Sequence, residues 1–253
     1  MVRAAESRRR DRLFDDPYAA AFLAAAPALV NRDHSGSAAF AGGVSAKAAA
    51  FWSQAVIRTR FFDDYLLGAA AGGVRQIVLV ASGLDTRGYR LAWPDGVRLF
   101  ELDQPDVLAF KQRVLRRRGA VPRCGIRTVA ADLREDWRTP LTEAGLRPGQ
   151  PTAWLLEGLL IYLTADDVTH LLATLHELSA AGSRIAFEHS DTVPDAAALP
   201  PIAEYTALWQ GGLPDTPGWL TAHGWRIQTH DGAQTAAGYG RSLTSGGFLT
   251  ATR

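Results

Sequence analysis

QIVLVASGLDTRGYRLAWPDGVRLFELD, residues 76–103, is the stretch whose reading decides the architecture. Gln76 to Val80 is a short run dominated by apolar and β-branched residues, which reads as a buried parallel strand. The small residues Ala81, Ser82 and Gly83 follow at its carboxyl end, and Leu84-Asp85-Thr86-Arg87 leads into a helix with Asp85 or Thr86 available as N-cap. A second strand, Arg98 to Leu102, ends on Asp103, 20 residues beyond Gly83. Open α/β sheets bind ligands outside the carboxyl ends of their strands. Gly83 permits close approach of backbone to a ligand, and an acid ending the next strand can accept both hydroxyls of a ribose. The stretch therefore points to a nucleoside-containing cofactor.

The nucleoside can be narrowed. A dinucleotide site uses Gly-x-Gly-x-x-Gly, so that a pyrophosphate sits on the helix N-terminus. Here the window is Ala-Ser-Gly-Leu-Asp-Thr, with one glycine and an acid where the anion would lie. Asp85 would repel a pyrophosphate but could face a cationic amino-acid moiety or order the loop. That favours S-adenosyl-L-methionine, which keeps the ribose and carries no phosphate, with S-adenosyl-L-homocysteine as its product. The competing reading is an ordinary strand-turn-helix with a solvated acid.

Working outward, strands at 76–80, 98–102, 126–131, 153–157 and 184–188 alternate with helices near 86–92, 105–118, 135–145 and 165–180. Such alternation predicts an α/β fold with a doubly wound, mostly parallel sheet. Trp225 to Thr229 and Phe248 to Thr252 read as two last strands, an antiparallel closing pair. Residues 1–73 read as an N-terminal helical cap or lid: an arginine-rich segment, a turn at Asp15-Asp16-Pro17, an alanine-rich helix from Tyr18, a break over 31–44, and a helix over 45–67. In that last helix Phe51, Ile57, Phe61, Phe62 and Tyr65 form an aromatic stripe expected in the core, and Ala69 to Gly73 read as linker. Residues 74–253 are the expected cofactor-binding catalytic domain, with a proline-punctuated insertion around 191–224 serving the acceptor pocket.

Bulk properties exclude several classes. The 253 residues carry a formal net charge of +1, so no strong field points to nucleic acid or membrane. The clusters Arg8–Arg10 and Arg116–Arg118 have acids nearby and read as solvated helix faces. Cys124 is the only cysteine, which rules out an intrachain disulfide and a cysteine metal cluster, and no histidine spacing suggests a metal site. The arginine-then-alanine start at 8–30 is interrupted by Asp11, Asp15, Asp16 and Pro27, unlike a secretory signal, and no run of apolar residues spans a membrane. A cytoplasmic protein with a small-molecule acceptor is expected; a homodimer is compatible with the sequence.

ASGLDTRGYRL, ELDQPDVLAFK, VAADLREDW and TAWLLEGLLIYL, in that order and spacing, resemble the leucine carboxyl methyltransferase family, most closely its bacterial branch of O-methyltransferases of secondary metabolism, such as polyketide tailoring. The likeness runs from Phe14-Asp15-Asp16-Pro17 through Ile57–Asp64 to Tyr239-Gly240-Arg241. Ala81 stands where many members have the first glycine of Gly-x-Gly. The resemblance implies a class I methyltransferase (Rossmann-like) fold and S-adenosyl-L-methionine as cofactor. It assigns the ribose hydroxyls to Asp103, the adenine to Asp132 and the neighbouring Leu133, and the cofactor carboxylate to Arg58, with Arg60 as competitor and Lys47 as a helper. The loop residues Ala81, Ser82, Gly83 and Asp85, with Gln104 after the ribose acid, complete the expected cofactor site.

Glu157 ends the fourth strand, and Gly158 permits a close backbone turn beside it. Buried without a cation such an acid would be costly, so it is expected to face the methionine ammonium or the sulfonium. Methyl transfer to a carboxylate needs no general base, whereas a phenol, with pKa near 10, needs one. His189, Tyr162, Tyr239 and His34 are the candidate bases or acceptor contacts, and Arg241 is suited to pair with an acceptor carboxylate. Trp209, Trp219 and Phe40 are candidate pocket walls. Three other readings stay open: a protein that binds the cofactor without transferring methyl, such as a cyclisation catalyst; an NAD(P)-dependent oxidoreductase; and a protein-carboxyl methyltransferase.

Overall fold

One seven-stranded sheet organises the chain: β1 (Gln76–Val80), β2 (Arg98–Asp103), β3 (Gly125–Ala130), β4 (Thr152–Leu156), β5 (Arg184–Glu188), β6 (Arg226–Asp231) and β7 (Gly247–Thr252). The computed structural model describes residues 1–26, 46–189, 208–244 and 246–253, and within 46–50 the backbone only. The strand order is β3-β2-β1-β4-β5-β7-β6. β1 to β5 run parallel, and β7 lies antiparallel between β5 and β6. The two last strands do pair antiparallel as expected, but β7 inserts ahead of β6 rather than closing the edge. Central strands are buried on both faces, which is why QIVLV and TAWLL are near-continuous apolar runs. The outer strands β3 and β6 are largely exposed and carry Arg127, Thr128, Arg226 and Gln228, side chains that discourage edge pairing.

Alternation along each strand splits the core in two. Val78, Val80, Phe100 and Leu102 join Trp137, Trp154 and the leucines of the helix Ala165–Glu177 on one face. Ile77, Leu79 and Leu99 join Ile57, Phe62 and Leu66 of the helix Ala46–Ala71 on the other. The helix Ala165–Glu177 starts at a capping box, with Asp167 N–H donating to Thr164 Oγ1 at 3.1 Å. The helices Arg87–Arg90, Pro105–Arg117 and Arg138–Glu143 fall within the expected spans, each shorter than the sequence suggests. Among the described residues, no helix is long and apolar enough to cross a membrane.

The long helix Ala46–Ala71 runs past its expected end. Ala69 to Ala71 are helical rather than linker, and Ala69 and Ala70 are fully buried because residues this small let the helix end close against the sheet. Phe61 stacks on Phe248 at 4.2 Å and Tyr65 donates to the Trp154 carbonyl at 3.2 Å, as a core stripe should. Phe51 leaves that stripe: it is 43% exposed and lines a cavity. Ahead of this helix lie, among the described residues, two short ones, Val2–Glu6 and Ala19–Ala25.

Candidate active site

At the carboxyl ends of β1 and β4 lies a cavity of about 330 Å³, at the small end of the range for small-molecule sites. Its walls include Phe51 and Arg58 from the long helix, Ala81 to Asp85 from the loop after β1, Glu157 after β4, and Met1 to Arg3 from the N-terminal helix. The loop is shaped by two left-handed residues, Ala81 with φ 54° and Gly83 with φ 47°. A non-glycine residue held there costs conformational energy. Ser82 N–H donates to the Leu102 carbonyl at 2.9 Å, which ties the loop to β2.

Asp103 supports the same loop. Its Oδ2 accepts the Gly83 N–H at 2.5 Å and its Oδ1 accepts the Gln104 N–H at 2.7 Å. A carboxylate oxygen takes two donors, so each retains capacity for a hydroxyl. Gln104 occupies the N-cap of the helix Pro105–Arg117 without a side-chain capping bond.

A cluster of seven ionised side chains backs the cavity. Arg58 places Nε 2.9 Å from Glu157 Oε1 and donates Nη1 to Glu188 at 2.9 Å. Arg87, 3% exposed at its side chain, donates Nε to Asp63 at 2.6 Å and Nη1 to Glu157 at 2.7 Å, and also pairs with Asp85. Arg90 grips Asp63 with both terminal nitrogens at 2.6 and 2.7 Å. Three arginines thus meet four carboxylates, leaving a formal charge of −1 before any ligand enters. Burial pushes the Asp85 carboxyl up, but Arg87 beside it, with Lys111 and Arg90 farther off, outweighs this and holds it at about 2. Glu157 is likewise raised by burial and then drawn below its ordinary value by Arg87 and Arg58. Glu188 ends up raised, because burial and the nearby Glu157 exceed the pull of Arg58.

A pH dependence follows with a definite sign. An acid whose folded pKa lies near 2, against about 3.9 unfolded, contributes stability above pH 4 that is lost as pH falls toward 2. Thermal unfolding followed from pH 6 to pH 2 should therefore fall more steeply for the parent than for Asp85→Asn. Parallel curves would mean that Asp85 is not held by Arg87.

The structure brings Arg58, Ala81, Ser82, Gly83, Asp85 and Glu157 together on the cavity. Gly158, with φ 63°, turns the chain beside Glu157. Arg60 is not among the cavity walls: it is bound to Asp64 at 3.0 Å and to the Leu13 carbonyl at 2.9 Å, with Tyr239 beneath it. Asp132 accepts the Arg134 N–H and its guanidinium, Asp136 accepts the Thr139 N–H at 3.1 Å at the start of the next helix, and Leu133 packs against the core. Tyr162 lies half-buried on the 3₁₀ turn Leu160–Tyr162, and His189 follows β5 with its N–H donating to the Gly247 carbonyl. Arg241 pairs with Asp11 at 3.0 Å and lies 3.8 Å from Glu6, so it braces the N-terminal segment. Trp219 stacks on His223 at 3.7 Å beside the helix Ala165–Glu177, and Trp209 sits near the Leu160–Tyr162 turn, where Gln210 N–H reaches the Ile161 carbonyl. Tyr239 donates to Asp64 at 2.9 Å. The side chain of Lys47, and His34 and Phe40 entirely, lie outside the described residues.

Sequence reasoning missed Arg87, Arg90, Asp63 and Glu188, together with the N-terminal residues. Arg3 reaches the Leu84 carbonyl at 2.7 Å and Asp16 at 2.9 Å, fastening the first helix over the loop. Asp63 and Arg87 both stood inside quoted motifs. Their pairing spans 24 positions and leaves no local spacing signal.

The sequence profile described as leucine carboxyl methyltransferase matches residues 1–176. A Frankia alni protein provisionally named an S-adenosyl-L-methionine-dependent methyltransferase is 50% identical over 263 residues, covering all of this chain and 91% of its own length. A similarly named Parafrankia protein is 46% identical, covering all of this chain and 84% of its own. Among solved structures, a Thermobifida fusca protein provisionally named a methyltransferase superposes with a TM-score of 0.57 at 16% identity, covering 83% of this chain and 84% of that one, a likeness of fold.

Proposed function

The chain belongs to the leucine carboxyl methyltransferase family, and from that premise we propose that it is an S-adenosyl-L-methionine-dependent O-methyltransferase acting on a carboxylate or phenolic hydroxyl of a small molecule, a natural product of polyketide type. The observation that carries the reading is the pairing of opposite charges at one cavity. Arg58 and Glu157 line it together, beside a loop whose backbone is held open by Asp103.

The residues fit the cofactor. The charged cluster carries one surplus negative charge, and S-adenosyl-L-methionine carries one net positive charge from its sulfonium, ammonium and carboxylate. Arg58 would hold the carboxylate, Glu157 the ammonium, Asp103 the ribose hydroxyls, and the Asp132–Leu133 turn the adenine. When bound, the cofactor supplies an electrophilic methyl group on a sulfonium sulfur. What the chain adds is placement and exclusion of water: Phe51, Arg3 and Leu84 wall the cavity, and the rigid ion pairs fix the charged groups before binding. For a carboxylate acceptor no proton need move. For a phenol, His189, which follows β5, would take the proton, and Tyr162, on the turn after β4, would contact the acceptor.

Calorimetry tests the cofactor half. S-adenosyl-L-methionine and S-adenosyl-L-homocysteine should bind with Kd of the order of micromolar, and NADPH should not bind. Asp103→Ala should weaken the sulfur nucleosides about tenfold or more, because hydrogen bonds to a charged acceptor contribute about 1.5–3 kcal/mol. Absence of binding by both sulfur nucleosides would overturn the proposal. Product mass then tests the chemistry, since methyl transfer adds a methyl group and cyclisation does not.

A further inference from the structure

We propose that Glu188, outside the cavity, is a positioning residue that aims Arg58 at the carboxylate of the cofactor; this rests on the cofactor reading above. Glu188 ends β5. Unlike Arg58 and Glu157, it is not among the cavity walls. Its two oxygens accept the Gly158 N–H, each at 2.9 Å, and one of them also accepts from Arg58 Nη1 at 2.9 Å.

Geometry gives this second anion its role. Glu157 is shared: Oε1 faces Arg58 Nε at 2.9 Å while Oε2 accepts from Arg87 Nη1 at 2.7 Å. Arg87 also holds Asp63 and Asp85, whereas Arg58 has only the shared Glu157 and Glu188 as ion-pair partners among the described residues, in a partly buried site where screening by water is weak. Glu188 is thus the carboxylate that Arg58 does not share with Arg87. It also fixes orientation. A guanidinium is a rigid plane with donors on three edges, and contacts at Nε and Nη1 leave Nη2, for which the described residues provide no partner, as the edge available to a ligand. Gly158 serves the same arrangement. Its φ of 63°, strained for any residue with a Cβ, turns the N–H that Glu188 accepts.

Glu188 should then matter only for the part of the cofactor that Arg58 meets. Binding of S-adenosyl-L-methionine and of decarboxylated S-adenosyl-L-methionine, which keeps the sulfonium and amine but lacks the carboxylate, is measured on the parent and on Glu188→Ala. The parent should prefer the carboxylated form about tenfold or more. Glu188→Ala should erase most of that preference by weakening S-adenosyl-L-methionine while leaving the decarboxylated form within about twofold. Glu188→Gln, which keeps an acceptor but not the charge, should fall between and supplies the comparison if the alanine variant does not fold. Equal weakening of both ligands, or an unchanged preference, would overturn the role of Glu188. Failure of the parent to bind either ligand would overturn the cofactor reading and this inference with it.

Discussion

Arg87→Met should destabilise the fold by about 3–5 kcal/mol, the cost of breaking a buried ion network by removing one partner. Methionine roughly replaces the volume, so the loss is one of charge and hydrogen bonds. The guanidinium donates to Asp63 at 2.6 Å, to Glu157 at 2.7 Å and to the Thr59 carbonyl at 3.3 Å, and pairs with Asp85 as well. Without it, Asp63 keeps Arg90 and Glu157 keeps Arg58. Asp85 keeps only the backbone N–H of residue 87, at 2.6 Å, among its short-range partners. At about 2–4 °C per kcal/mol for a chain of this size, the midpoint of thermal unfolding should fall by roughly 10 °C. Arg87→Lys should recover only part, because an ammonium cannot span three acids as a planar fork does. Denaturant unfolding of both variants measures this, and a loss under about 1 kcal/mol would mean that water or protonation replaces the network. Cofactor binding should weaken as well, since two of the freed acids, Asp85 and Glu157, line the cavity.

Much of this site was legible before any coordinates, for reasons that differ by residue. Asp103, Gly83 and Glu157 sit at strand ends, and strand ends are visible wherever an apolar run stops. The short apolar runs and their alternation with helices gave the sheet its composition. The placement of β7 between β5 and β6 was not legible, because an antiparallel pair has the same apolar pattern whichever of its strands lies inward. That Arg58 faces the cavity while Asp64 holds Arg60 was not legible, since the two arginines stand two positions apart in one helix. Phe51 fitted a helical stripe and yet faces the cavity, since periodicity reports a face and not what that face meets. Glu188 carries no local signal, since an acid at a strand end reads the same whether solvated or paired. Its partner Arg58 lies 130 residues away.

The second large effect lies beneath the cofactor loop, in one of the chain's two lysines. On the helix Pro105–Arg117, Lys111 falls in the buried stripe with Leu108, Val114 and Leu115, where an apolar side chain would be expected. It is fully buried, and its Nζ lies 3.0 Å from Glu101 Oε1 on β2, whose side chain is 1% exposed. Burial raises the Glu101 carboxyl against the opposing pull of Lys111. Lys111→Met should therefore cost about 3–5 kcal/mol by stranding that acid, whereas Lys111→Met with Glu101→Leu should come back to the parent stability or exceed it. The sign of the pH effect separates stranded charge from mere misfit. A carboxyl whose folded pKa lies above its unfolded value binds more protons when folded, so its stability is greatest below the unfolded pKa and is lost as pH rises through the folded one. The deficit of Lys111→Met should accordingly shrink from pH 7 toward pH 5, and the double variant should lack this trend. Urea unfolding of the parent, both single variants and the double variant at the two pH values measures the coupling. A double variant as unstable as Lys111→Met, with no pH trend in either, would show that packing around residue 111 rather than the buried pair sets the stability of this layer.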